Sequence, residues 1–108
     1  MNKFEAVLML SPESSNSIIS ENLKVFEELV SNNSGKIMNS EDWGLRDLSY
    51  DINNFKKSFY RYFQLEISGS NIQKITKILN QNDNIIRHLF IKVNEHQELP
   101  TKLNYEKN

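Results

Sequence analysis

The sequence predicts an α+β fold of the ferredoxin-like type, a βαββαβ sandwich in which one four-stranded antiparallel sheet carries two helices on one face. Apolar residues alternate with polar ones along four segments, which is typical of half-buried strands. In two other segments they recur at steps of three and four, which is typical of helices that lie on a sheet. The six segments follow one another in this order, with short polar connections, and a chain of 108 residues accommodates one such domain.

The first strand and the first helix are predicted from the opening third of the chain. The strand runs from Lys3 to Leu10, and its buried face carries Phe4, Ala6, Leu8 and Leu10. A turn-rich SPESSNS stretch then offers several helix N-caps. The helix that follows carries an apolar stripe made of Ile19, Leu23, Phe26, Leu29 and Val30. We expect it to end at SNNSG, where Gly35 can take a positive φ.

The second strand, predicted from Ile37 to Ile52, changes its hydrophobic phase partway along. Its first apolar residues are the odd-numbered Ile37, Trp43 and Leu45, and its later ones are the even-numbered Leu48, Tyr50 and Ile52. A regular strand cannot switch faces, so a β-bulge near Gly44 to Asp47 is the simplest explanation. Glycine suits the unusual backbone angles of a bulge, which accounts for Gly44.

The second half of the chain repeats the strand and helix signals. A polar NNFKK turn precedes a strand from Phe59 to Ile67. The second helix is predicted to open at Ser70 with a capping box completed by Gln73, and its buried stripe is Ile72, Ile75 and Leu79. The last strand runs from Ile85 to Val93. Residues 95–108 are polar and aperiodic, so we expect one domain over residues 1–94 followed by a disordered tail.

One face of the sheet should remain free of helices. Alternation along the last two strands predicts that this face carries aromatic and cationic side chains, namely Tyr60, Tyr62, His88, Phe90 and Lys92. Such a face is unusual for a surface without a partner. Packing between the aromatic rings of neighbouring strands explains the same residues, so both interpretations stay open.

Composition argues against several classes of function. The chain has no cysteine, hence no disulfide and no thiolate nucleophile. It has no apolar stretch of membrane-spanning length and no signal-peptide pattern, so we expect a cytoplasmic protein without a membrane partner. Phosphate-binding loops, nucleophile elbows and HExxH pairs are absent, and His88 and His96 alone make a poor metal site. We therefore expect no enzymatic activity, no cofactor, no metal and no small-molecule substrate.

Charge is distributed unevenly along the chain. Residues 1–53 contain 4 basic and 9 acidic residues, whereas residues 54–92 contain 7 basic and 2 acidic ones. Charges scattered over a solvated surface would give the same counts. Cations beside aromatic rings are, however, what an RNA-binding surface uses to pair with phosphates and stack on bases. The candidate RNA-binding residues are Lys3, Lys56, Lys57, Arg61, Arg87, His88 and Lys92.

Three stretches of the sequence resemble a known family. FEAVLMLSPE in the first strand, GKIMNSEDWGLRDLSYDI in the second and LNQNDNIIRHLFIKV at the end are similar to bacterial small-subunit ribosomal protein S6. The resemblance covers roughly residues 1–94. It implies a ferredoxin-like fold without catalytic activity that binds the central domain of small-subunit ribosomal RNA jointly with a partner, ribosomal protein S18.

The resemblance also implies roles for particular residues. It makes Lys3, Arg87 and His88 candidates for the RNA-facing surface, and it makes the bulged strand around Arg46, Leu48 and Tyr50 a candidate partner contact. To these partner contacts we add the open-face tyrosines, Tyr60 and Tyr62. The family often has a lysine and a glycine in the hairpin loop, where this chain has Asn54 and Ser58, and Lys56 and Lys57 can substitute for the missing cation. The acidic first half suggests that RNA affinity depends on a partner that supplies positive charge.

Three other functions share the predicted order of strands and helices. An RNA-recognition-motif domain is suggested by KKSFYRYF, but the glycines of that signature are missing. An acylphosphatase-like enzyme would need an arginine in a glycine loop after the first strand, and SPESS contains neither residue. A protein-interaction module that self-associates through the open sheet is the third, whereas we expect a free monomer.

Overall fold

The computed structural model describes residues 1–99 and contains the six predicted elements in the predicted order. They are β1 (Asn2–Leu10), α1 (Asn16–Asn32), β2 (Lys36–Ile52), β3 (Phe55–Ile67), α2 (Gly69–Leu79) and β4 (Ile85–Val93). The strands form one sheet in the order β2-β3-β1-β4, and every neighbouring pair is antiparallel. The ferredoxin-like βαββαβ fold is confirmed.

The hydrophobic core lies between the two helices and one face of the sheet, which we call the helix face. Alternate residues of the central strands β1 and β3 supply its floor, and Ile75 and Leu79 of α2 close it from above. Phe26 of α1 is fully buried, with its ring centroid 4.8 Å from that of Phe63 and 6.3 Å from that of Phe90. The opposite side of the sheet, which we call the open face, is covered by neither helix.

The two helices begin differently. Ser15 caps α1, and its hydroxyl oxygen accepts a hydrogen bond of 3.3 Å from the backbone N–H of Ile18. The capping box predicted at Ser70 and Gln73 is wrong, because α2 starts at Gly69 with Ser68 at the N-cap position, and Ser68 makes no side-chain cap. Ser70 therefore lies inside the first turn, where its hydroxyl is 3.0 Å from that of Ser68. Neither helix within residues 1–99 combines the length and the apolar character needed to cross a membrane.

Gly35 is required by packing and not by its backbone angles. The positive φ predicted there belongs instead to the preceding residue, Ser34, at 62°. A Cβ atom on Gly35 would lie 2.8 Å from side-chain atoms of both Val30 and Ile67, which belong to the core. The chain therefore needs glycine here because α1 and β3 approach each other too closely for a side chain.

The predicted bulge in β2 is confirmed, and Gly44 takes a φ of 76° in it. The register with β3 shifts between Asp42 and Gly44, so Trp43 is the extra residue. The Asp42 carboxylate accepts a 2.8 Å hydrogen bond from the Gly44 backbone N–H, which fixes the turn of the chain. β2 has two further register shifts with β3, one between Ile37 and Asn39 and one between Asp47 and Ile52.

The β2–β3 hairpin is longer and its turn tighter than predicted. The NNFKK segment is not a turn throughout, because β3 already begins at Phe55. Only Asn53 and Asn54 form the connection, with φ angles of 53° and 69°. Two residues of positive φ match the right-handed twist of a hairpin, and asparagine tolerates that conformation better than most residues.

The predicted facing of β4 is wrong. Leu10 pairs with Ile85 but Met9 pairs with Arg87, so Ile86 is an extra residue that reverses the alternation for the rest of the strand. His88, Phe90 and Lys92 pair with the helix-face residues Leu8, Ala6 and Phe4. They therefore lie on the helix face, while the open face carries Arg87, Leu89 and Ile91.

The segment after β4 stays close to the sheet as far as the structure describes it. β4 ends at Val93, one residue before the predicted domain boundary. Residues 95–99 form neither helix nor strand, yet Gln97 hydrogen bonds to side chains of β1 and β3. Residues 100–108 of the predicted tail lie outside the described residues.

Candidate functional site

A groove of about 520 Å³ crosses the open face near the hairpin. It forms because residues 48–51 leave the regular β2–β3 ladder and fold over the sheet towards the start of β4. Aliphatic and aromatic side chains dominate its lining, which is Val7, Met9, Trp43, Leu48, Ser49, Tyr50, Ile52, Tyr60, Arg87, His88 and Leu89. An apolar groove with a few polar groups at its rim is typical of a docking site.

Arg87 and Tyr50 close one end of the groove. The Arg87 guanidinium donates a 2.7 Å hydrogen bond from Nη1 to the Tyr50 hydroxyl oxygen, and its carbon lies 5.7 Å from the centre of the Tyr50 ring. Tyr50 is 60% exposed and Leu89 beside it is 53% exposed. These contacts tie the hairpin to β4 although the two elements are not neighbouring strands of the sheet.

Tyr60 lies between two arginines in the same groove. Burial raises the pKa of Tyr60, and the Arg46 and Arg87 guanidiniums partly oppose that rise because they favour the phenolate. Arg46 also donates a 3.1 Å hydrogen bond from Nε to the backbone oxygen of Trp43. Arg46 of β2 and Arg87 of β4 therefore both bring positive charge close to Tyr60, but of these two arginines only Arg87 lines the groove.

Trp43 forms the wall of the groove on the side of β2, and it covers Tyr62. Their rings are stacked at 5.0 Å with an angle of 10° between the planes. The Trp43 Nε1–H donates a 2.9 Å hydrogen bond to a carboxylate oxygen of Glu41. Trp43 is buried in this position, and it leaves Tyr62 only 2% exposed. Of these two aromatic residues, Trp43 is the one that lines the groove.

We expect Tyr62 to ionise at unusually high pH. Burial, with a further contribution from the Glu5 carboxylate, raises the pKa of Tyr62 from 10.0 to about 12. Because the folded state holds this proton more tightly than the unfolded chain, the free energy of unfolding should fall as pH rises from about 10 to 12. Difference absorbance should show one late tyrosine step that the Tyr62→Phe variant lacks. If every tyrosine of the wild-type protein titrates near pH 10, the burial of this hydroxyl is refuted.

Three of the seven candidate RNA-binding residues are paired with carboxylates. Nitrogen-to-oxygen distances are 3.5 Å for Lys3 and Glu95, 3.7 Å for Lys57 and Asp47, and 3.3 Å for Arg61 and Asp42. Within residues 1–99, Lys56, Arg87 and Lys92 make no ion pair. Exposed ion pairs contribute little stability, so RNA phosphates can replace the carboxylates, but each exchange reduces the net gain in affinity.

Six of the same seven residues form two separate groups. Lys56, Lys57, Arg87 and His88 lie at the hairpin end of the sheet, where the turn residue Asn53 lines a polar pocket with Arg87 and His88. Lys3 and Lys92 lie at the other end, since Lys3 pairs with Val93 and Phe4 with Lys92. Val93 lies six positions after Arg87 along β4, which corresponds to about 20 Å. Arg61 stands apart from both groups on the helix face, opposite Leu8.

His88 has an environment unlike that of a free surface histidine. Its Nε2 atom is 2.8 Å from the Asn80 side-chain oxygen, and burial lowers its pKa. The ring is therefore neutral at physiological pH, and we expect it to contribute hydrogen bonding but no charge to an RNA contact.

Sequence reasoning missed part of the groove. Leu48, Tyr50 and Tyr60 were predicted as partner contacts, and the structure brings them together. Leu89 of the same groove was not predicted, because the open face of β4 was assigned to the wrong set of residues, and the β1 residues Val7 and Met9 were not assigned to any site. The open face of β4 could have been predicted from its second half, where the apolar residues Leu89, Ile91 and Val93 occupy alternate positions.

Comparison with known families adds an independent observation. The sequence model described as Ribosomal protein S6 matches residues 3–92. The small ribosomal subunit protein bS6 of Christiangramia forsetii is 32% identical over 96 residues, which are 89% of this chain and 86% of that protein. The protein of the same name from Rickettsia felis is 32% identical over 103 residues, covering 95% of this chain and 85% of that protein.

A solved structure supports the fold. The crystal structure of 30S ribosomal protein S6 from Thermotoga maritima aligns with a TM-score of 0.81. The alignment covers 85% of this chain and 87% of that one, at 19% sequence identity.

Proposed function

The chain belongs to the ribosomal protein S6 family of the small ribosomal subunit, and on that premise we propose that it binds the central domain of small-subunit ribosomal RNA together with ribosomal protein S18. It acts as a structural component of the cytoplasmic ribosome and not as an enzyme. The observation that carries this proposal is the groove on the open face, because it joins an apolar surface suited to a protein to a cationic rim suited to RNA.

The groove is the S18 contact. Exposed apolar side chains at Tyr50 and Leu89 surround a concave surface that a partner can fill. Buried aromatic anchors with a polar rim are what concentrates binding energy in protein interfaces. Leu48, Tyr50 and Tyr60 touch the partner directly. Tyr62 contributes indirectly because Trp43 covers it.

The hairpin end of the sheet is the principal RNA contact. Lys56 and Arg87 are exposed there and make no ion pair within residues 1–99. Arg87 reaches the rim of the groove as well, so RNA bound at this end would lie beside the bound partner. Lys3 and Lys92 form a second, smaller contact at the far end of the sheet.

We expect Leu89→Asp to abolish most of the affinity for S18. The substitution removes an apolar contact and places a carboxylate in a groove lined mainly by aliphatic and aromatic side chains, and such a penalty of about 2 kcal/mol or more weakens binding at least about thirtyfold. Folding should change little, because Leu89 is exposed in the free protein. Titration of labelled S18 with the purified variant measures the effect.

The matched control is Ile78→Asp. Ile78 is 45% exposed and lies on α2, on the other side of the sheet. Ile78→Asp should leave S18 binding unchanged. This result would show that an added negative charge alone does not weaken S18 binding. Wild-type affinity in Leu89→Asp would remove the groove from the S18 interface.

A further inference from the structure

Gln97 joins the segment after β4 to the two central strands. Its backbone N–H and its side-chain Nε2 donate hydrogen bonds of 3.2 and 3.1 Å to the two carboxylate oxygens of Glu5 on β1. Its backbone oxygen accepts a 2.8 Å hydrogen bond from the Gln64 side chain of β3. The backbone N–H, the backbone oxygen and the side-chain Nε2 of this one residue are therefore all used on the open face.

The same residue reaches the wall of the groove through Tyr62. The Gln97 Nε2 atom also donates to the Tyr62 hydroxyl oxygen at 3.3 Å, and Gln64 donates to that oxygen at 3.0 Å. The Tyr62 ring in turn stacks on Trp43, which lines the groove. A continuous chain of contacts thus runs from Gln97 through Tyr62 to Trp43.

The surroundings make this chain of contacts sensitive to the loss of one member. Gln64 and Tyr62 are buried although Gln97 itself is exposed, so the hydrogen bonds that join them lie at the boundary between the protein interior and solvent. None of these residues belongs to the core between the helices and the sheet. Loosening them would change the open face without removing the contacts that hold the helices.

We propose that Gln97 is a positioning residue for the groove. Its side chain holds the Tyr62 ring, and through the stack it holds Trp43, in the arrangement that the partner meets. The identity of that partner as S18 rests on the proposed function, whereas the link from Gln97 to Trp43 does not. The binding surface of the protein then extends beyond the 1–94 domain to a residue that the sequence placed in a disordered tail.

The test uses Gln97→Ala and Gln97→Glu in the full chain. Both variants lose the side-chain donor to Glu5 and Tyr62, and the second keeps the length of the side chain. Trp43 is the only tryptophan, so the intrinsic fluorescence and its quenching by acrylamide report on this wall alone. We expect easier quenching and a red shift in the free variants, and S18 affinity about threefold to tenfold lower.

The control is Asn71→Ala. It removes a 2.8 Å hydrogen bond from the Asn71 side chain to the backbone oxygen of Asn33, which joins the two helices far from the open face. It should lower the melting temperature as the Gln97 variants do, but leave Trp43 quenching and S18 affinity unchanged.

Two results would overturn the inference. One is wild-type quenching of Trp43 in both Gln97 variants, which breaks the link to the groove. The other is altered quenching with wild-type S18 affinity, provided that Leu89→Asp does weaken S18 binding. If Leu89→Asp binds S18 normally, the groove is not the S18 interface and the proposed function fails at that point, while Trp43 quenching still decides whether Gln97 positions the wall.

Discussion

The isolated protein should bind central-domain RNA weakly, and S18 should raise its affinity about a hundredfold or more. The chain has a net charge of −1, and three of its seven candidate RNA-binding residues are paired with carboxylates. The remaining ones are divided between two ends of the sheet. Few phosphates can therefore be neutralised at once, and a basic partner bound in the groove would add contacts beside Arg87 and Lys56.

The salt dependence of RNA affinity shows whether S18 acts by adding phosphate contacts or by changing the conformation of this protein. Each additional phosphate contact steepens the slope of log affinity against log salt by about 0.7–0.9. We expect the slope to be clearly steeper with S18 than without it, and Lys56→Ala to reduce it by about 1. Lys24→Ala, on the exposed surface of α1, is the matched control and should have no effect. Tight binding of the protein alone at physiological salt would contradict the charge argument.

Phe26→Ala should lower the free energy of unfolding by about 3–5 kcal/mol. The Phe26 ring is fully buried between α1 and the sheet and contacts the rings of Phe63 and Phe90. Its removal loses apolar burial and leaves a cavity that these rigid neighbours cannot fill. Denaturant unfolding of the variant measures the loss directly.

The neighbouring Val25 provides the control. Val25 is 41% exposed on the same helix, so Val25→Ala should change stability by no more than about 0.5 kcal/mol. A loss below about 1 kcal/mol in Phe26→Ala would mean that α1 does not pack on the sheet through this stripe. Alanine has a higher helix propensity than valine, so a loss as large in Val25→Ala would mean that stability on this helix does not depend on burial in the core.

The sequence by itself determined the order of the elements, the helix face of β1 and the bulge at Gly44. These features depend on local periodicity. A period of two or of 3.6 residues can be recognised from the order of apolar and polar residues within one short segment. The glycine at a change of hydrophobic phase identified the bulge because both signals lie within a few residues of each other. The family resemblance rested on the same local stretches and is confirmed.

Only the tertiary structure decided which side chains share the open face. The extra residue Ile86 reverses the alternation of β4, and its position depends on the pairing with Met9 and Leu10, which are far away in the sequence. The groove exists because unpaired residues of β2 fold across to Arg87, and its wall is tied to Gln97 by side chains from β1 and β3. Such features depend on the register between distant segments, and register is set by the combined packing of the whole sheet and not by any one strand.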